Sequence, residues 1–282
     1  MASDCHIHMI LDGSDWKAAI ARHAWGPDRD WIGETLFSYQ QAGYTYLRDG
    51  GDRWGVGRAA RELAGDLGIA YRTPLSPLYK KGRYGGFIGE GFSDLEEYRR
   101  LVDKTRKNGG DFIKVMISGL MDFDRFGVLN QPGLRPDEIQ KMVEIAHSEG
   151  FSVMAHANGA RVVEAAAQAG VDSVEHGAYL DDGALQAMKA SGTVWVPTLS
   201  TIGNLRGGGR FHQGAVEAIL QSAAVNVRKF HEMGGFLACG SDAGAWAVPH
   251  ACGTEAKLLR EILGPDTDQI LAEGLKKLQE KF

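Results

Sequence analysis

The stretch Pro136–Gly177 reads PDEIQKMVEIAHSEG FSVMAHANGA RVVEAAAQAG VDSVEHG, and its hydrophobic period alternates along the chain. Pro136–Ser148 reads as an amphipathic helix followed by Gly150. Phe151–His156 is a short apolar run that ends on a histidine. Ala160–Ala169 is a second helix followed by Gly170, and Ser173–His176 a second strand ending on a histidine. A single histidine at a strand end carries little information. Two of them, on consecutive strands and each closely followed by glycine, point to side chains gathered on one face of a sheet.

The same unit recurs in both directions. Further strands are expected at Asp4–His8, Thr45–Asp49, Ile69–Thr73, Phe112–Ser118, Thr193–Pro197 and Phe236–Asp242, with helices such as Asp94–Lys107 and Ala215–Glu232. Gly68 and Gly192 punctuate the helix ends as Gly150 and Gly170 do. Strand–helix alternation implies parallel βαβ units with right-handed crossovers. Eight such strands in 282 residues predict a TIM-type (β/α)8 barrel, a fold that runs near ~250 residues as one unit. With no linker or low-complexity tract to divide it, residues 1–282 are expected to form a single barrel domain.

Barrels of this kind build chemistry at the C-terminal ends of their strands, and six residues lie there: His6, His8, Lys114, His156, His176 and Asp242. His6 and His8 are two apart on one strand, so both imidazoles share a face and can meet one cation. Lys114 interrupts the apolar run Phe112–Ser118, where Ile113, Val115 and Ile117 face the helices and Lys114 the lumen. Two readings are open for it. One is a buried lysine paired with a carboxylate. The other is a lysine carboxylated by carbon dioxide, since burial favours the neutral amine that reacts this way. Cys239, by parity, faces away from Asp242. Imidazole and carboxylate donors without thiolate suit Zn²⁺ or another divalent first-row metal.

Composition excludes other classes. A net charge of −5 leaves no global basic field for nucleic acid. No run approaches the ~20 apolar residues of a membrane span, and three cysteines at unrelated spacings suit a reducing, cytoplasmic setting.

The chain resembles the amidohydrolase superfamily, in its binuclear branch with a carboxylated lysine, closest to imidazolonepropionase-like and prolidase-like members. The residues that carry the resemblance are Asp4–Met9, GYTYLRDGG at Gly43–Gly51, FIKVMISG at Phe112–Gly119, HANG at His156–Gly159, VDSVEHGAYL at Val171–Leu180, VPTL at Val196–Leu199 and GSDAG at Gly240–Gly244. The resemblance implies one metal held by His6, His8 and Asp242, a second held by His156 and His176, and carboxylated Lys114 between them. It further implies attack on a substrate carbonyl by a bridging hydroxide, with Asp242 passing the proton to the leaving nitrogen. The barrel is expected without the small accessory β-sandwich of many relatives, and an exposed flank where one would pack is expected to favour a homo-oligomer. The sequence after Lys114, Gly119–Asp124, also differs from typical prolidase-like members, which bears on the substrate.

Three connections are long: Pro74–Ser93, Gly119–Arg135 and Leu199–Gly214. All three follow strands and are expected on the catalytic face; the first and third are glycine-rich, which suits mobile lids or surface loops without a role. Arg206 and Arg210 sit in the third, Lys80, Lys81 and Arg83 in the first, with Arg48, Arg125 and Arg135 nearby. This pattern predicts a cationic mouth for a small carboxylate-bearing amide. Arg48, Tyr84, Asn158, Tyr179, Thr198, Arg206 and His250 are the expected substrate contacts. The alternatives are a phosphotriesterase-like or lactonase activity on the same site, a mononuclear deaminase, which would lack the bridging lysine, and a metal-binding barrel without turnover.

Overall fold

The computed structural model describes residues 2–282. In chain order its elements are β1 (Ala2–Ile7), α1 (Trp16–Arg22), α2 (Arg29–Gln41), β2 (Tyr44–Asp49), α3 (Val56–Ala64), β3 (Ala70–Arg72), β4 (Leu78–Lys80), β5 (Glu90–Phe92), α4 (Leu95–Lys107), β6 (Ile113–Met116), α5 (Pro136–Ser148), β7 (Val153–Ala157), α6 (Ala160–Ala169) and β8 (Ser173–His176). They continue with α7 (Asp182–Ser191), β9 (Val194–Val196), α8 (Ser200–Gly203), α9 (Gln213–Glu232), β10 (Phe236–Leu237), α10 (Thr254–Leu263) and α11 (Thr267–Gln279).

Every strand pairing is parallel. One run joins β1–β2–β3 and the other β10–β9–β8–β7–β6–β4–β5. Backbone hydrogen bonds from Cys5 N to Cys239 O (2.8 Å), Asp242 N to His6 O (2.7 Å) and His8 N to Ala243 O (2.7 Å) join the chain beyond β10 to β1. On the other side, Asp111 N donates to Thr73 O (2.9 Å). The third stave is split between β3, paired with β2, and β4, paired with β6. Eight parallel staves thus ring one lumen. The strand limits differ from expectation mainly at the ends: the last stave is regular only at Phe236–Leu237, because its continuation bends toward β1.

Parity divides each strand between two environments. Ile113, Val115 and Ile117 pack outward with Ile139, Met142 and Val143 of α5, whereas Lys114 faces the lumen. Gly170 (φ 87°) and Gly192 (φ 67°) end their helices in the left-handed region, which costs a residue without a Cβ little.

The long, glycine-rich connection Pro74–Ser93 carries regular structure that its sequence does not announce. It holds β4 and β5, paired with each other. Three-residue strands are too short to show a period. Its glycines serve packing: a Cβ on Gly85 would come within 2.7 Å of the Tyr79 Cβ, and one on Gly91 within 2.9 Å of the Tyr79 ring. Gly119–Arg135 is tied by Asp122 N to Val128 O (2.9 Å) and Asn130 N to Leu120 O (2.9 Å). In Leu199–Gly214, α8 fills the start and α9 begins two residues earlier than expected, leaving an irregular tip where Gly207 and Gly209 face open space.

The far end of the barrel is closed. Phe282 lies edge-on to Phe112 (centroids 5.2 Å apart), Lys281 Nζ reaches Asp172 (3.0 Å), and Ser152 Oγ donates to Lys281 O. Among the described residues, no helix is long and apolar enough to cross a membrane.

Candidate metal centre and active site

β1 delivers His6 and His8 to the lumen, and the stave beyond β10 brings Asp242 to meet them. The Nε2 atoms of the two imidazoles are 3.3 Å apart, and Asp242 Oδ1 is 3.4 Å from one and 3.3 Å from the other. Their donor atoms could hold one cation. Two imidazole nitrogens and a carboxylate oxygen turned toward one point are a donor set that suits a shared cation. The ring of His176 is 5.1 Å from that of His6 and 4.5 Å from that of His156. The structure therefore brings His6, His8, His156, His176 and Asp242 into one cluster, with Lys114 on the same lumen wall.

Three buried atoms in this group have no hydrogen-bond partner: Lys114 Nζ, His8 Nδ1 and Asp242 Oδ1. Leaving such atoms unpaired costs about 1–3 kcal/mol each or more, so their concentration here fits a site built for a ligand. Burial, followed by the neighbouring Lys114 charge, pushes His8 and His156 down to about 3. Burial also lowers Lys114 and raises Asp242, so the pair is driven toward its neutral forms. Neutral imidazoles and a neutral amine are the states that bind metal or react with carbon dioxide.

Two of the imidazoles meet a polar side chain through Nδ1. His176 Nδ1 meets Thr198 Oγ1 at 2.8 Å, and His6 Nδ1 meets Glu175 Oε2 at 2.7 Å. Glu175 immediately precedes His176, and strand parity would put them on opposite faces. His176 escapes parity because its φ is 69°, in the left-handed region. Tyr179 (60°), Thr198 (49°) and Asp242 (60°) share that conformation. Strained backbone clusters at functional sites. Gly50 supports His8 by absence, since a Cβ there would collide with the imidazole ring.

A cavity of about 440 Å³ opens above the cluster, with His8, Lys114, His156, His176 and Asp242 at its base. Its walls are largely apolar and aromatic, including Trp16, Phe87, Phe123, Phe211 and Trp246. Tyr84 and Asn158 line it. The Tyr84 ring sits 4.9 Å from that of His156. Asn158 is engaged at both ends, donating to Gly119 O (3.2 Å) and accepting from Ala178 N (2.9 Å).

Other expected contacts lie elsewhere. Arg48 is fully buried below the cluster, bonded to Glu175, Ser173 and Cys5 O, where it cannot meet a substrate. His250 uses both nitrogens on Leu11 O (2.8 Å) and Tyr39 Oη (3.0 Å). Thr198 holds His176, Tyr179 packs edge-on to Phe126, and Arg206 turns outward toward Glu217. The cationic mouth shrinks as well, because most of its charges are paired. Lys80 meets Glu138, Lys81 meets Glu97, Arg125 meets Asp122 and Arg135 meets Asp137. Arg210 is different. It lines the cavity without a carboxylate partner among the described residues, its guanidinium 4.0 Å from the centre of the Trp246 ring.

Glu175 and Gly50 were missed as site residues. A signal for Glu175 was present: a glutamate and an arginine, each in an otherwise apolar strand, must find opposite charges inside.

Among known proteins, the ochratoxinase of Aspergillus niger is 29% identical over 230 residues, covering 71% of this chain and 47% of its own. The chain thus spans about half the length of that curated relative. A Xaa-Pro dipeptidase structure superimposes with a TM-score of 0.78 at 22% identity, over 99% of this chain and 75% of the other. The A. niger ochratoxinase structure gives 0.77 at 23% identity, over 95% and 68%. Both share the fold. Residues 55–275, which include Lys114, His156, His176 and Asp242, match the model of the Amidohydrolase family, and the chain belongs to that family.

Proposed function

We propose that residues 1–282 form one hydrolase domain that cleaves a C–N bond of a small amide or cyclic amide carrying a carboxylate. The observation that carries this reading is the convergence of His8, His156, His176, Lys114 and Asp242 at the base of one cavity, with His6 packed behind them and three of the buried polar atoms unpartnered among the described residues. Family membership supports hydrolysis at an amide.

His6, His8 and Asp242 are the proposed holders of one divalent ion, and His156 and His176 of a second, with Zn²⁺ the best fit to the donor set. The second pair has no carboxylate of its own, which is the argument for carboxylated Lys114: the modification would supply an oxygen to each half. Divalent ions there would supply Lewis acidity and bring bound water toward a pKa of ~7. Asp242, whose Oδ1 is unpartnered, accepts a proton and returns it to the leaving nitrogen. The apolar walls exclude water around the acyl part, and Arg210 pairs with the substrate carboxylate.

Metal analysis of wild type and Lys114→Ala tests the centre. About two divalent ions per chain, lost in the variant and partly restored by a short carboxylic acid, are expected. Full metal content and activity in Lys114→Ala would end the binuclear reading. A panel of N-acyl amino acids, dipeptides, lactones and phosphotriesters then assigns the bond. Faster turnover of lactones or phosphotriesters than of amides would replace the amidase assignment.

A further inference from the structure

Beneath the cluster lies a chain of buried charges that no step above uses. Glu175 Oε2 is 2.7 Å from His6 Nδ1. Glu175 Oε1 accepts from Arg48 Nη2 (2.8 Å) and from Ser173 Oγ (2.6 Å). Arg48 Nη1 donates to Ser173 Oγ (2.9 Å) and Nε to Cys5 O (2.8 Å). The guanidinium lies 4.5 Å from the centre of the Phe282 ring, which covers it from below. His6, Arg48, Ser173 and Glu175 are all fully buried.

We infer that Glu175, braced by Arg48, is a positioning residue that fixes the tautomer and ring orientation of His6 and so presents its Nε2 to the metal. The inference rests on the metal reading above. A carboxylate accepting at Nδ1 keeps the proton there and leaves Nε2 as the bare donor. Nε2 is the atom that faces His8 Nε2 at 3.3 Å and Asp242 Oδ1 at 3.4 Å. Stability alone does not account for the arrangement, because a fully buried ion pair is often no better than apolar residues of similar size. Its geometry accounts for it better: Arg48 and Ser173 occupy one carboxylate oxygen, and the other is left for His6. The left-handed backbone of His176 makes this possible, since the tip of one strand then delivers both Glu175 and His176 to the lumen.

The first test is a nitrogen-15 spectrum of histidine-labelled, metal-free wild-type protein. His6 is expected as the Nδ1–H tautomer, and an Nε2–H tautomer would overturn the inference. The second is a double-mutant cycle on zinc affinity, read by competition with a chromophoric chelator. Arg48→Met/Glu175→Gln removes both charges together and leaves no unpaired charge inside. It is expected to weaken zinc binding about 10–100-fold. The same pair of changes in a His6→Ala background is expected to add little, because the effect runs through His6. Unchanged affinity in the first background, or an equal loss in both, would overturn the positioning role. Should the double variant fail to fold, the wild-type tautomer still decides. A wild type that binds no zinc, yet shows the Nδ1–H tautomer, would instead remove the metal reading.

Discussion

The two ends of the barrel treat polar atoms in opposite ways. At the floor, Arg48, Ser173, Glu175, Asp172 and Lys281 are joined to one another or to backbone, and Phe282 packs against the Arg48 guanidinium. At the mouth, Lys114 Nζ, His8 Nδ1 and Asp242 Oδ1 are buried without partners among the described residues, and Arg210 stacks on the Phe211 and Trp246 rings. The same lumen and the same parallel strands supply both. The difference teaches where stability and chemistry reside: satisfied charges make a rigid base, and unsatisfied ones mark where another molecule belongs.

Substitutions at the two ends should therefore read out differently. The largest effect is expected at the mouth. Asp242→Asn should lower kcat about 10²–10⁴-fold through loss of the proton carrier. Asparagine tolerates the left-handed backbone at φ 60°, so the fold should persist. A thermal melt far below that of wild type would break the contrast. At the floor, Arg48→Met alone leaves Glu175 without its counter-ion and should cost about 3–5 kcal/mol in urea unfolding. A stability close to wild type would show that the floor is less demanding than its bonding suggests.

The third prediction concerns His250, which burial pushes from 6.5 down to about 4. A histidine with a lowered folded pKa favours the native state above the unfolded pKa, and that contribution is lost as pH falls from 6.5 toward 4. His250→Gln removes this term. Its stability deficit against wild type should therefore narrow by about 3 kcal/mol between pH 7 and pH 4, as measured by urea unfolding at each pH. A deficit constant with pH would show that His250 is not held neutral. The smallest effect is expected from Arg210→Ala: KM for a carboxylate-bearing substrate should rise about tenfold while its amide analogue is unaffected. Equal changes for both substrates would remove Arg210 as the anion contact.

Much of this organisation is legible in the sequence where it depends on local order. Histidines at strand ends, the H-x-H pair and the glycines after helices follow from period and spacing, and the fold follows from them. Glu175 was hidden because the rule of alternating faces fails where His176 turns left-handed. Arg48 was misplaced since an arginine near a strand end reads alike whether it points to a substrate or to a buried glutamate. The cationic mouth was overestimated for a related reason. The carboxylates that neutralise Lys80 and Lys81 come from the helices α5 and α4, and pairing across elements leaves no trace in local composition.

The left-handed tips at His176, Thr198 and Asp242 carry a consequence for how this barrel evolves. Thr198 is the least tolerant of the three, because a branched side chain at φ 49° is a steric outlier costing about 1–3 kcal/mol. Exchange to glycine would relax the backbone and also release His176 from its hydrogen bond to Thr198 Oγ1. Selection for heat survival alone would favour that exchange, and selection for turnover would oppose it. A library screened on thermal survival should accumulate glycine or asparagine at position 198, and the survivors should be folded but poor catalysts.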